Sequence, residues 1–215
     1  GYSLFVLKSS TTIACFVVLF SFIFMALLSF HFPFILDDAG DLEPVSKGFE
    51  IPGYSKLTYL PRLFFLFIYF LLSKIVGFQP VYYHLLKSLI FSIFAGFYYK
   101  LSFELLKNRI YALISVISIS LMPQTVFTTI MVNEPATLSL LLHTAFLYYL
   151  IKLEKTSNTK YILILIPLFL AAMFSKETFA VLMPTVLFFY IFKMIRKEKI
   201  QAISKIFILS LITLQ

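Results

Sequence analysis

Three short polar clusters interrupt an otherwise apolar chain: Asp37 with Asp38, Asn133 with Glu134, and Ser175 with Lys176 and Glu177. Ionisable side chains are costly in apolar surroundings unless they pair, cap a helix or do chemistry. A carboxylate pair can take a proton from an attacking hydroxyl or hold a cation. An amine beside an acid can neutralise a departing anion. When the apolar runs are threaded through a bilayer by charge bias, all three clusters fall on the same side.

The elements that position them must be membrane helices. The 215 residues are 60% hydrophobic and 13% charged, with a mean hydropathy of +0.95, which excludes a water-soluble globule. The formal charge of +8 is spread thinly over short segments between long apolar runs, without the clustered basic face of a nucleic-acid binder. Cys15 is the single cysteine, so no disulfide framework and no thiolate metal site is expected. The first apolar run is too long for a signal-peptide core and should remain as a first span. No Gly-rich phosphate loop, HExxH, GxSxG or CxxC occurs, which sets aside nucleotide hydrolysis, zinc proteolysis and serine-hydrolase chemistry.

A helix needs roughly 20 apolar residues to cross about 30 Å of hydrocarbon. Lys8 and Asp37 enclose 28 uncharged residues, and Arg109 and Glu134 enclose 24. Shorter gaps of 17, 15 and 15 residues follow Glu134, Lys160 and Glu177, and they reach across only if the bounding side chains snorkel or lie below the interface. The expected spans are about 10–36, 82–100, 110–132, 134–151, 161–176 and 178–193. A seventh, 203–215, stops in mid-run as if truncated. Between Arg62 and Lys74 lie about ten core residues, Leu63 to Leu72, enough for only half a crossing. Segment 59–76, rich in Phe and Tyr, therefore reads as a helix in the interface. With it lying flat, the loops Lys100–Arg109, Lys152–Lys160 and Lys193–Lys199 share one side and carry ten basic residues against three acidic ones, which marks that side as cytoplasmic. The three polar clusters then face outward, away from cytosolic ATP and nucleotide sugars, so any activated donor would have to arrive by lipid. The fold class expected is all-α integral membrane, a multispanning helical module with an interfacial helix in its first external loop.

The order of the parts resembles a known superfamily. The chain has a first span ending in Phe34-Ile-Leu-Asp-Asp38, then Tyr59-Leu-Pro-Arg-Leu63, then Gly77-Phe-Gln-Pro-Val-Tyr-Tyr-His-Leu85, and later Ser175-Lys-Glu-Thr178 before an apolar helix. This set is similar to the GT-C membrane glycosyltransferases, and most of all to their protein O-mannosyltransferase-like branch. The resemblance implies a GT-C-like module that moves a sugar from a polyprenyl-phosphate donor to an acceptor hydroxyl on protein, lipid or glycan. It implies an inverting reaction with Asp37 as general base, Asp38 beside it, and Arg62, Lys176, His84 or Lys87 at the donor phosphate. Glu134 and Glu177 are auxiliary candidates. The cofactor is left unassigned, with Asp37 and Asp38 the place where a divalent metal would bind. The partners implied are the lipid-linked donor, membrane lipid and the acceptor, with no nucleic acid. The location implied is a prokaryotic plasma membrane with the active face outward.

Blander roles compete at each position. Asp37 and Asp38 also suit a solvated span end. Asn133 suits an N-cap, with Glu134 and Pro135 in the first turn. Ser175 to Glu177 would also make a cap, although Lys176 is unfavourable there. His84, like His31 and His143, is commonly a hydrogen-bonded structural histidine, and Arg62 and Lys74 can simply snorkel. Two other function classes fit a polytopic chain with recessed polar groups: a flippase or transporter of lipid-linked sugars, and a non-catalytic scaffold subunit.

Overall fold

The computed structural model describes residues 10–29, 62–77, 79–131, 134–175 and 182–195. Among them every regular element is helical, and the molecule is an all-α membrane protein. The helices are α1 (Ser10–Ser29), α2 (Leu63–Val76), α3 (Pro80–Leu106), α4 (Arg109–Leu121), α5 (Pro123–Ile130), α6 (Ala136–Thr156), α7 (Lys160–Met173) and α8 (Leu182–Ile195). Three of them, α1, α3 and α6, are each long and apolar enough to cross a membrane, and the bent pair α4–α5 makes a fourth if it counts as one span. The expected span 203–215 and most of the loop after α1 lie outside the described residues.

Local sequence sets the helix ends. Pro80 occupies the first turn of α3, where its missing N–H costs nothing. Asn108 caps α4, its side-chain oxygen accepting from the backbone N–H of Ile110 at 2.9 Å and of Tyr111 at 3.3 Å. Met122 is extended (φ −61°, ψ 127°), as a residue before proline prefers, and at this break the chain bends by 59° between α4 and α5. Pro167, by contrast, sits inside an unbroken α7.

Helix α3 is the axis of the bundle, packed on α1, α4 and α6. It is 27 residues long, about 40 Å, and buries residues all round its circumference. Helix α1 runs antiparallel to it. Ala14 and Val18 lie at Gly96, Met25 packs with Phe91 and Phe94, and Ser29 reaches Ser88 at 3.3 Å between hydroxyls. The other side of α1 presents Phe16, Phe20 and Leu27, more than half exposed, as a lipid-facing surface. The largest apolar cluster joins α2, α3, α6, α7 and α8 through Phe65, Tyr69, Tyr83, Phe146, Leu165 and Val186.

The helices have a polar end and a basic end. At the basic end Glu104 takes ion pairs from Lys107 at 3.0 Å and from Lys152 and Lys155, so the loops after α3 and α6 meet there. Lys193 pairs with the nearly buried Glu154 at 2.9 Å and brings the end of α8 to the same level. At the polar end α1 and α7 stop and α3 and α6 begin. Helix α2 belongs wholly to that end. Its second residue, Phe64, donates its N–H to the Phe174 carbonyl at 2.8 Å, just past α7. Its far end runs into Gly77, whose carbonyl accepts from the Tyr83 hydroxyl at 3.0 Å, three residues before α3 starts. Both ends of this 14-residue helix are thus hydrogen-bonded to residues at the polar end of the bundle.

Close approach of α1 to α3 depends on Gly96. A β-carbon there would stand 2.5 Å from the Val18 Cγ2. Gly96→Ala is expected to cost about 1–3 kcal/mol through this overlap and to lower the unfolding midpoint in detergent. Adding Val18→Ala should recover most of the loss. If the pair is additive instead of compensating, the contact is not what holds the two helices at this distance.

Candidate functional site

The polar end gathers ionisable groups that an apolar bundle would otherwise exclude. His84, Lys87 and Ser88 follow the i, i+3, i+4 spacing that puts them on one face of α3, and all three are buried, at 1%, 1% and 0% exposure. Lys87 lies seven residues into α3, about 10 Å below its start. Its ammonium donates to the backbone carbonyl of Glu134, immediately ahead of α6. The Glu134 carboxylate in turn accepts from the Ala136 N–H at 3.1 Å, in the first turn of α6. One residue thus serves Lys87 with its carbonyl and the helix start with its side chain. An unpaired charge at this depth would be strongly disfavoured, so polar partners are a condition of its burial.

Hydroxyl groups line the same region. Ser88 meets Ser29 at the last residue of α1, eight positions before Asp37. Thr137 of α6 donates to the Thr128 carbonyl of α5 at 3.2 Å, holding the second half of the bent pair against the start of α6.

Arg62 precedes α2 directly, and the Phe64 to Phe174 hydrogen bond sets this end of α2 beside the end of α7. Helix α7 has only 14 residues, about 21 Å, and is shorter than the three candidate spans. Ser175 is fully buried just past its end, its hydroxyl donating to the Ala172 carbonyl at 2.9 Å. From Ser175 the chain continues into Lys176 and Glu177. Tyr69 of α2 lies 5.4 Å, ring to ring, from Tyr83, the neighbour of His84, so α2 packs against the first turn of α3.

Of the residues singled out by sequence, the structure brings His84, Lys87 and Glu134 together and places Arg62 at the same end. Asp37, Asp38, Asn133, Lys176 and Glu177 lie outside the described residues. Sequence reasoning offered His84 as a donor-phosphate candidate or a hydrogen-bonded structural histidine, and neither role foretold that it is buried. Reading along the chain gives depth in the membrane, whereas burial depends on which way the helical face turns. Ser29, Ser88 and Thr137 were missed. The spacing of His84, Lys87 and Ser88 was the available signal for Ser88.

Among known families, residues 61–214 match the model of the family described as dolichyl-phosphate-mannose-protein mannosyltransferase. The match covers Arg62, His84, Lys87, Glu134, Lys176 and Glu177 and begins after Asp37 and Asp38. No curated protein and no solved structure matches the chain.

Proposed function

The chain belongs to the dolichyl-phosphate-mannose-protein mannosyltransferase family and is a membrane glycosyltransferase of the mannosyltransferase type; from that premise we propose that it takes its sugar from a polyprenyl phosphate and transfers it, with inversion, to an acceptor hydroxyl on the non-cytoplasmic face. The acceptor oxygen attacks the anomeric carbon, Asp37 takes the hydroxyl proton, and the bond from that carbon to the phosphate oxygen breaks with its electron pair leaving on the polyprenyl phosphate. Asp38 orients Asp37 or the acceptor. Lys87, His84, Arg62 and Lys176 supply positive charge and hydrogen bonds to the departing phosphate, where charge develops as the bond breaks. Glu134 positions Lys87, and Glu177 stands with Lys176 beyond the end of α7.

The observation that carries this reading is the buried ammonium of Lys87 held by the Glu134 carbonyl, at the end of the bundle from which the chain leads to Asp37. The loops gathered on Glu104 at the opposite end carry the excess of basic residues, which favours that end as cytoplasmic and the polar end as external. A helix lying in the outer interface is also a suitable place to receive a phosphate whose lipid tail remains in the membrane.

Donor choice tests the proposal. The protein in liposomes, given labelled mannose either on a polyprenyl phosphate or on a nucleoside diphosphate, should transfer only from the lipid. Transfer from the nucleotide sugar alone would overturn the assignment of the donor.

A further inference from the structure

Away from the polar end, a groove of about 430 Å³ opens between α1 and α3. Val18 and Phe22 of α1 and Ile93, Gly96 and Phe97 of α3 line it, and Lys100 is its one charged residue, at the margin nearest the basic end. The lining runs along α3 from Leu89 to Lys100, eleven residues and about 16 Å, which is the depth of one leaflet. Lys100 also joins the groove to the basic cluster. Its ammonium and that of Lys152 approach the same Tyr148 ring, at 6.0 and 5.5 Å from the centroid. Beyond them three lysines, Lys107, Lys152 and Lys155, share the single carboxylate of Glu104, a surplus of two positive charges (3 − 1).

We propose that this groove holds one acyl chain of an anionic glycerophospholipid from the leaflet at the basic end, with its headgroup phosphate at Lys100. Charge complementarity selects the occupant. The apolar lining accepts any lipid tail, but Lys100 and the surplus on the Glu104 cluster favour a headgroup with net negative charge over a zwitterionic one. The site stands at the opposite end of the bundle from the polar cluster and so is independent of the transferase assignment.

The chain has no tryptophan, so a single introduced indole reports on the groove alone. Phe22→Trp places it in the lining. The full chain would be reconstituted in phosphatidylcholine bilayers containing either phosphatidylglycerol or phosphatidylcholine brominated on the acyl chain, and indole quenching measured against mole fraction. Brominated phosphatidylglycerol should quench at a several-fold lower mole fraction than brominated phosphatidylcholine. Lys100→Gln should bring the two curves together. Phe20→Trp, on the lipid-facing side of the same helix at 72% exposure, should show no headgroup preference. Equal quenching by the two lipids at position 22, a preference that survives Lys100→Gln, or the same preference at position 20 would each overturn the proposal.

Discussion

Asp37→Asn is expected to lower turnover by about 10²- to 10⁴-fold, the usual contribution of a positioned general base, while binding of polyprenyl phosphate persists. The amide keeps the size of the side chain and its ability to hydrogen bond the acceptor, but it cannot take the hydroxyl proton. The loss should therefore fall on kcat and leave KM for the lipid donor nearly unchanged. The same variant separates the three classes of function open to such a chain. A scaffold subunit would be indifferent to it, and a carrier would continue to move lipid across the bilayer. Retention of full transfer activity by Asp37→Asn would remove Asp37 from the mechanism.

Lys87→Met should have the second largest effect, about 10²-fold or more on kcat, because a positive charge held in a low-dielectric site acts strongly on charge that develops beside it. Methionine has similar length and suits the apolar packing around it. The Glu134 carbonyl, however, loses its donor, and an unsatisfied buried group of this kind costs about 1–3 kcal/mol. Both a lower unfolding midpoint and lower turnover are thus expected, and the ratio between them is informative. If Lys87 only ties α3 to the start of α6, turnover per folded molecule will stay at the native level while stability falls. Lys87→Arg, which keeps the charge, should restore part of the activity if the ammonium serves the phosphate.

Much of the helical layout was legible in the sequence, because charge is costly in hydrocarbon and gaps between charged residues therefore mark helices. The uncharged run after Lys8 contains α1, and the segment 59–76 expected to be helical contains α2, which runs past Lys74 to Val76. Counting charges misled where a charge is satisfied within the fold. The reading stopped the second span at Lys100, whereas α3 continues to Leu106 because Glu104 finds lysines from three directions. Charge gaps do not mark the bend at Met122 and Pro123, since both halves are apolar; Pro123 and Pro167 were the residues that could break a helix, and the chain bends at the first while α7 runs unbroken through the second. Of the candidate residues, His84, Lys87 and Glu134 lie together at one end of the bundle, with Arg62 at the start of α2. The pairing of Lys87 with Glu134 was not legible, because it joins positions 47 residues apart through a backbone carbonyl, a partner that no residue type announces.

Two-sided chemical labelling addresses the placement of α2 most directly. In a Cys15→Ser background, single cysteines at Gly40, in the loop after α1, and at Lys155, in the basic cluster, would be exposed to a membrane-impermeant maleimide on sealed, oriented vesicles. With α2 confined to one interface, the two positions should react from opposite sides, Gly40 from the outside and Lys155 only after the vesicles are opened. Reaction of both from the same compartment would contradict a single external site built from Asp37, Lys87 and Lys176.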